Sequence, residues 1–202
     1  LNRPIEWRGT QMWCPISEAP QTTEFSISRF CVPFLTKGWA LFCDCDIVCL
    51  HDIEKLFELC DDKYAVMVVK NQQQSGVDVH MVDQAMVYYE RKNWTSVMLW
   101  NCDHPSNKNL TLEALNSWPG RDLHALKWLK DEEIGELPWE WNHLVDVNPD
   151  KPWEDIKLAH FTLGGPWLPG WAPMESDAYW YKELQNANLW NDSRLPKFTP
   201  PE

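Results

Sequence analysis

The stretch GWALFCDCDIVCL, residues 38–50, carries an apolar run that ends in two aspartates. Residues 39–45 are aromatic and apolar and follow Gly38, which predicts a β-strand. Successive side chains of a strand point to opposite faces, so Asp44 and Asp46 share one face, with their Cα atoms about 6.6 Å apart. A buried strand that ends in two carboxylates predicts a functional site at that end.

The rest of the chain alternates between strand-like and helix-like segments. Apolar runs predict further strands at 63–70, 96–100 and 155–162. Helical spacing of apolar residues predicts helices at 22–36, 52–60, 110–117, 121–131 and 175–187. We expect Pro33 to kink or end the first of these helices. The alternation is typical of an α/β sheet that binds ligands at the carboxyl ends of its strands.

The chain is expected to have three parts. Residues 1–20 contain three prolines and little periodicity, which predicts an irregular leader. Residues 21–188 carry the alternating pattern and are long enough for one sizeable domain. Residues 189–202 are expected to form a poorly ordered tail.

The composition excludes some classes of partner. The formal net charge of −12 argues against nucleic acid or an anionic membrane surface, because both are bound through basic surfaces. A small ligand that carries phosphate remains compatible with this negative net charge, since a metal ion can supply positive charge at its site. The sequence contains no apolar run of about eighteen residues, so no transmembrane segment is predicted. The seven cysteines have no regular spacing and no signal-peptide pattern precedes them, which favours free thiols in the cytoplasm.

Fourteen tryptophans are an unusual number for a chain of 202 residues. A tryptophan ring stacks on the C–H face of a sugar while its N–H reaches a hydroxyl, so the excess is compatible with a carbohydrate ligand. The simpler interpretation is that most of the rings fill core and loop contacts.

The two aspartates have a direct chemical interpretation. Carboxylates this close repel each other unless one is protonated or a cation lies between them. Oxygen ligands favour Mn²⁺ or Mg²⁺, ions that usually also hold substrate phosphates. Two other interpretations stay open. The aspartates would cap a solvated turn, or Cys43, Cys45, Cys49 and His51 would bind zinc, although their spacing matches no standard zinc pattern.

A second group of candidate residues lies in KLAHFTLGGPW, residues 157–167. His160 ends an apolar strand, and a neutral imidazole can be a third metal ligand. Gly164 and Gly165 permit close backbone approach, so their N–H groups could contact a diphosphate. Taken alone, His160 would be a buried core histidine and the glycines an ordinary turn.

Together these segments resemble a glycosyltransferase of the GT-A type, near the retaining family 8 enzymes and closest to short phage and bacterial relatives. The matching segments are SISRFCVP with Arg29, LFCDCD, SVMLWN, LPWEWNHL and HFTLGGPW. The resemblance covers about residues 22–170. It implies a Rossmann-like domain in which helices flank a mostly parallel central sheet.

The resemblance also implies roles for individual residues. The implied metal ligands are Asp44, Asp46 and His160, with Mn²⁺ (or Mg²⁺) as the cofactor. The implied donor-binding residues are Arg29, Asp44, Gly164, Gly165 and Trp167. Asp122 and His124, in GRDLHALKWL, lie where the family has an acidic element beside the transferred sugar, and they are the candidate catalytic residues.

Three departures from the family pattern are visible. The family's lysine near the final P-W is absent, because Leu163, Gly164 and Gly165 occupy those positions. The first strand of the family is expected to be missing, which would make this an N-terminally shortened version or a truncated chain. Trp94-Thr95-Ser96 replaces the family's N-x-G.

These features predict a metal-dependent retaining transferase that moves a sugar from a nucleotide-sugar donor, with UDP-hexose expected, to a carbohydrate or other hydroxyl acceptor. Two alternatives stay open. The first is a non-catalytic or weakly hydrolytic module that binds nucleotide sugars. The second is a metal-dependent phosphohydrolase, which lacks the second carboxylate cluster that a two-metal site needs.

Overall fold

A computed structural model describes residues 1–21, 23–71 and 91–187 of the chain. It divides into two compact units. Unit 1 comprises Leu1–Asp44 and Ile53–Trp139, and unit 2 comprises Cys45–Asp52 and Glu140–Glu202. The predicted tail, 189–202, and the segment with Gln72, Gln73 and Gln74 lie outside the described residues, and the predicted domain boundaries stay predictions.

The described residues contain ten β-strands and five α-helices. In chain order, the strands are β1 (Glu6–Arg8), β2 (Gln11–Cys14), β3 (Ala19–Pro20), β4 (Trp39–Cys43), β5 (Ile47–Cys49), β6 (Val66–Val68), β7 (Val97–Asn101), β8 (Ile134–Glu136), β9 (His143–Leu144) and β10 (Leu158–His160). The helices are α1 (Val32–Leu35), α2 (Glu54–Phe57), α3 (Leu112–Ser117), α4 (Gly120–His124) and α5 (Asp177–Asn186).

Short 3₁₀ helices connect several of these elements. They are Ser28–Cys31, Trp94–Ser96, Pro105–Asn109, Asp131–Glu133, Trp139–Asn142 and Trp153–Asp155. In the part of the chain that the structure describes, no helix combines the length and apolar character needed to cross a bilayer.

The main sheet of unit 1 has the strand order β4-β7-β6-β8. Every residue of β7 is buried, as expected for an apolar run in the middle of a sheet that is covered on both faces. The α/β class predicted from the sequence is confirmed. The expectation of a mostly parallel sheet is wrong in detail, because β7 runs antiparallel to both of its neighbours and only β6 and β8 are parallel.

The register of this sheet determines which residues lie together at one end of its strands. Cys43 of β4 lies opposite Val97 of β7, and Met67 of β6 lies opposite Leu99. Asp44 follows directly, and its backbone N–H donates to the carbonyl of Ser96 at 2.9 Å. The end of β4, the start of β7 and the end of β6 therefore lie at the same end of the sheet, where these strands begin or finish.

The core of unit 1 packs helices and loops against this sheet. Its fully buried members include Phe30, Trp100, Leu115 and Leu123, and Trp128 stacks on Trp100 with ring centroids 6.0 Å apart. These tryptophans therefore fill the core, as the simpler interpretation of the tryptophan excess expects.

Unit 2 has its own small sheet, with strand order β5-β10-β9. β10 is antiparallel to β5 and parallel to β9. A cluster of apolar side chains covers it, including Ala159, Phe161, Trp167 and Trp180. The predicted strand over 155–162 thus corresponds to β10, shortened to three residues.

The expectation that residues 1–20 form an irregular leader is wrong. β1, β2 and β3 form a three-stranded antiparallel sheet. A two-residue turn joins β1 to β2, and Gly9 adopts φ +64° there, which suits a tight hairpin. The strands are only two to four residues long, so they leave little periodicity in the sequence.

The helix predicted over 22–36 begins later than expected. A 3₁₀ turn, Ser28–Cys31, leads directly into α1, and Pro33 lies in the first turn of α1. Proline is tolerated there because the first N–H groups of a helix have no intrahelical partner. Pro33 therefore belongs to the start of a helix rather than to a kink or an end.

The two leucines of α3 offer a test of the unit 1 core. Leu115 is fully buried, whereas Leu112 is 56% exposed. We expect Leu115→Ala to lower the free energy of unfolding by about 2–5 kcal/mol, because it removes buried apolar surface and leaves a cavity. Leu112→Ala, the matched control, should change it by less than about 0.5 kcal/mol. Urea unfolding followed by tryptophan fluorescence measures both, and equal losses would contradict this core.

Candidate active site

Pairing of β5 with β10 brings Asp46 and His160 together in unit 2. His160 lies opposite Ile47 in the sheet, and the N–H of Phe161 donates to the carbonyl of Asp46 at 3.0 Å. The side chains meet with His160 Nε2 at 3.3 Å from Asp46 Oδ1. His160 is only 2% exposed, and Asp46 Oδ1 is buried without a hydrogen-bond partner.

Asn142 determines which nitrogen of His160 carries the proton. Its Oδ1 lies 3.1 Å from His160 Nδ1, and both side chains are buried. An amide oxygen only accepts, so Nδ1 must be the donor. In the neutral imidazole, Nε2 then presents a lone pair toward the Asp46 carboxylate, which is also an acceptor.

Two acceptors in contact within a buried region need a cation or a shared proton between them. A divalent cation fits this donor set, because it accepts an imidazole nitrogen and a carboxylate oxygen together. The hydrogen bond from Nδ1 to Asn142 is the outer support that metal-binding histidines usually have. The residues present therefore fit a metal ion.

Asp44 is the third metal ligand that the sequence predicts. It is the last residue of unit 1, and only Cys45 separates it from Asp46 in the chain. Two carboxylates and one imidazole are a hard, oxygen-rich set of the kind that suits Mn²⁺ or Mg²⁺. The seven cysteines, all of them among the described residues, form no disulfide bond.

Arg29 holds the Asp44 carboxylate with two contacts. Its two terminal nitrogens lie 2.8 Å and 3.2 Å from the two Asp44 oxygens. The guanidinium also donates to the carbonyl of Thr95 at 2.7 Å and to that of Ser26 at 3.0 Å, and Arg29 is buried. A planar guanidinium with these four contacts has one orientation, so Arg29 fixes the position of Asp44.

Thr95 connects the candidate catalytic residue His124 to this arrangement. Thr95 Oγ1 lies 2.7 Å from His124 Nδ1, and the His124 ring packs edge-on against Phe30. Burial, assisted by the positive charge of Arg29, lowers the pKa of His124 from 6.5 to about 3. His124 is therefore neutral at physiological pH.

The other candidate catalytic residue, Asp122, takes part in an ion pair. Its Oδ1 lies 2.6 Å from Lys127 Nζ, and the carboxylate is 24% exposed. Its role beside a sugar stays a prediction.

Gly164, Gly165 and Trp167 form one packed turn of unit 2. Gly164 adopts φ +108°, and a Cβ atom there would come within 2.6 Å of Leu168 Cδ1. A Cβ on Gly165 would lie 2.2 Å from the Trp167 ring. Both positions require glycine for packing, and the predicted donor contacts of these residues remain predictions.

Asn142 and Thr95 have no role predicted from the sequence, although each contacts a candidate site residue. Asn142 occurs in LPWEWNHL, one of the segments that carry the family resemblance. An asparagine in a turn is ordinary, so only the resemblance of that segment could have drawn attention to it.

Comparison with known proteins agrees with this fold. No protein-family model matches the chain. The apo form of the glycosyltransferase GlyE from Streptococcus pneumoniae TIGR4 superposes with a TM-score of 0.52 at 16% identity, over 90% of this chain and 49% of that one. A second GlyE structure gives a TM-score of 0.50 at 14% identity, over 86% and 48%. The chain thus spans about half the length of these proteins, and the likeness shows a shared fold.

The protein therefore has a glycosyltransferase-like α/β fold with a buried Asp46–His160 pair that fits a metal ion. At the level of sequence, Protein CDI from Arabidopsis thaliana is 42% identical over 176 residues, which are 85% of this chain and 68% of that protein. The chain belongs to the Protein CDI family.

The lowered pKa of His124 makes folding stability depend on pH. Between pH 6.5 and about 3 the unfolded chain binds a proton that the folded chain does not, so this stability is complete above pH 6.5 and is lost as the pH falls. On acidification, we expect the free energy of unfolding of His124→Gln to fall less steeply than that of the wild type. The two slopes should differ by up to about 1.4 kcal/mol per pH unit. Thr95→Ser, which keeps the hydroxyl, should retain the wild-type slope. Urea unfolding from pH 7 to pH 4 measures the slopes, and identical slopes for His124→Gln and wild type would refute the assignment.

The Asn142–His160 contact predicts an effect on metal affinity. We expect Asn142→Ala to weaken Mn²⁺ binding about 10–100-fold, because the ring loses the partner that fixes its tautomer and orientation. Asn107→Ala is the matched control. Asn107 is also buried, and it donates to the carbonyls of Ala65 and Asn101 in unit 1. The control should lower stability and leave Mn²⁺ affinity unchanged in calorimetric titration. Equal effects of both variants would mean that Asn142 has only a structural role.

Proposed function

We propose that this protein transfers a sugar from a nucleotide-sugar donor of the UDP-hexose class to an acceptor hydroxyl, with Mn²⁺ or Mg²⁺ as cofactor. The observation that carries the proposal is the pair of facing acceptors, Asp46 Oδ1 and His160 Nε2, at 3.3 Å in a buried position. The shared fold with GlyE supports it, and Asp44, two residues before Asp46 in the chain, would supply the third ligand.

The metal ligands in this proposal are Asp44, Asp46 and His160. When bound, a divalent cation supplies Lewis-acid stabilisation of the charge that develops on a departing diphosphate. Arg29 holds Asp44 through two contacts, and Asn142 holds His160 through Nδ1. The chain thus positions these ligands before any donor binds, which lowers the cost of ordering them.

The donor contacts in this proposal come from the turn of unit 2. Gly165 would present its backbone N–H to the diphosphate and Trp167 would lie against the donor. The Gly164 N–H already donates to the carbonyl of Phe161 at 2.9 Å, so Gly164 would line the donor site without that bond. The space on the Cβ side of these glycines is filled by Leu168 and Trp167, so a phosphate would have to approach the backbone from the other side. Arg29 would contribute to the donor site mainly through Asp44, since its guanidinium already makes contacts with Asp44, Thr95 and Ser26.

We further propose that the transfer proceeds with retention. No carboxylate in the chain is an obvious covalent nucleophile, which favours attack from the same face as the leaving group. The acceptor oxygen would then bond to the anomeric carbon as the bond to the diphosphate breaks, and the proton of the acceptor would pass to the departing phosphate. Asp122 and His124 would hold sugar hydroxyls, and neutral His124 would do so as a hydrogen-bonding group.

A non-catalytic module that binds nucleotide sugars is the second candidate function. The engagement of Arg29 by Asp44 and two backbone carbonyls favours it, because this guanidinium is the nearest described cation to Asp44 and is already committed. Release of UDP from a UDP-sugar in the presence of sugar acceptors separates the two functions, since the module would bind without turnover.

Metal-dependent donor binding is the decisive test. We expect UDP-glucose or UDP-galactose to bind in calorimetric titration with Mn²⁺ and to bind at least about 100-fold more weakly after chelation by EDTA. Asp46→Asn should lose the metal-dependent part of binding, because the change removes the anionic ligand that faces His160. Asp61→Asn is the control, since Asp61 pairs with Lys63 and is not one of the proposed ligands. Binding that ignores both the metal and Asp46→Asn would overturn the proposal.

A further inference from the structure

An open cavity of about 380 Å³ lies in unit 1 outside the candidate metal ligands. Its described walls are Lys70, Arg91, Trp94, Asp131 and Ile134. None of these residues has a part in the proposed transfer. The cavity combines two cations with an indole ring, a combination that suits a ligand with an anionic group and an apolar face.

Both cations are held beside the Trp94 ring. The Lys70 ammonium lies 5.7 Å from the ring centroid and the Arg91 guanidinium carbon 5.5 Å. Arg91 donates to the carbonyl of Ala125 at 2.5 Å and pairs with the largely exposed Asp131, which fixes its orientation. Among the described carboxylates, none forms an ion pair with Lys70.

The local charge of the cavity is opposite to that of the protein. Lys70 and Arg91 against Asp131 leave one net positive charge in these walls, while the whole chain carries −12. The field of the protein repels anions in general, so an anion binds only where cations are concentrated and oriented. Lys70 meets that condition, because no described carboxylate forms an ion pair with its ammonium. Arg91 is anchored at the same Trp94 ring, although Asp131 offsets part of its charge.

The sheet register relates this cavity to Asp44 within unit 1. Asp44 follows β4 and Lys70 follows Val69 at the end of β6, with β7 between the two strands. Two strand spacings correspond to about 10 Å. Trp94 directly precedes Thr95, whose carbonyl accepts from Arg29, the partner of Asp44. A sugar ring with an anionic substituent can span such a separation.

We propose that this cavity binds the anionic group, a phosphate or a carboxylate, of a hydroxyl-bearing acceptor. The claim that the ligand is an acceptor rests on the proposed function. The claim that it carries an anionic group rests on the cavity alone. Lys70 and Arg91 supply charge-assisted hydrogen bonds to the anion, and Trp94 supplies an apolar face to the sugar that carries it. The acceptor class is accordingly a phosphorylated or acidic sugar rather than a neutral one.

The test measures binding of three probes to the full chain by calorimetric titration. Glucose 6-phosphate and glucuronate represent the two anionic groups, and glucose is the neutral reference. We expect at least one anionic probe to bind about tenfold more tightly than glucose, with affinity that falls as salt is raised. The anion that gains more identifies the acceptor group, and equal binding of all three probes would overturn the inference.

Variants of Lys70 test the location of the site. Lys70→Gln should lower the affinity for the anionic probe about tenfold, and Lys70→Arg should retain it. Lys55→Gln is the matched control, because Lys55 is exposed and pairs with Glu58 in α2. Equal losses from Lys70→Gln and Lys55→Gln would reveal non-specific attraction and refute the site.

Titration of UDP with Mn²⁺ separates this inference from the proposed function. We expect Lys70→Gln to leave Mn²⁺-dependent UDP binding unchanged. A loss of UDP affinity equal to the loss of probe affinity would assign the cations to the donor and overturn the acceptor assignment. Metal-dependent UDP binding without probe binding would refute only the cavity, whereas probe binding with metal-independent UDP binding would refute only the proposed metal site.

Discussion

A buried contact between two hydrogen-bond acceptors is the constraint on which the candidate site depends. Asp46 Oδ1 and His160 Nε2 lie 3.3 Å apart, and Asn142 occupies the other ring nitrogen. The pairing of β5 with β10 imposes this contact, because His160 lies opposite the residue after Asp46. Such a contact is unfavourable unless a proton or a metal ion enters it, so the fold makes this pair a suitable position for a cation.

The two aspartates of the D-x-D segment have different environments. Asp44 is held by Arg29, whose charge is permanent, whereas Asp46 faces an imidazole. The negative charge of Asp44 is therefore offset by the guanidinium of Arg29. Among the described residues, the negative charge of Asp46 has no such permanent cation beside it. This asymmetry gives Arg29 a positioning role, and it leaves Asp46 as the carboxylate with the greater need for a metal.

Cations are concentrated at one edge of the unit 1 sheet, although the chain is strongly acidic. Arg29 lies at the end of β4, and Lys70 lies beyond the end of β6. Trp94 and Thr95 connect these positions just before β7 begins. This end of the sheet therefore carries two positive groups in a protein of net charge −12. Arg29 is engaged by Asp44, whereas Lys70 forms no ion pair with a described carboxylate.

The sequence by itself determined the local elements and the chemistry of the site. The apolar run before Asp44 became β4, and His160 ends β10, because hydrophobic pattern and residue type are local properties. Tertiary structure alone decided the strand directions, the sheet within residues 1–20, the contact of Arg29 with Asp44 and that of Asn142 with His160. These depend on which distant segments pair and in what register, and a short strand or a turn asparagine carries no local signal of its partner.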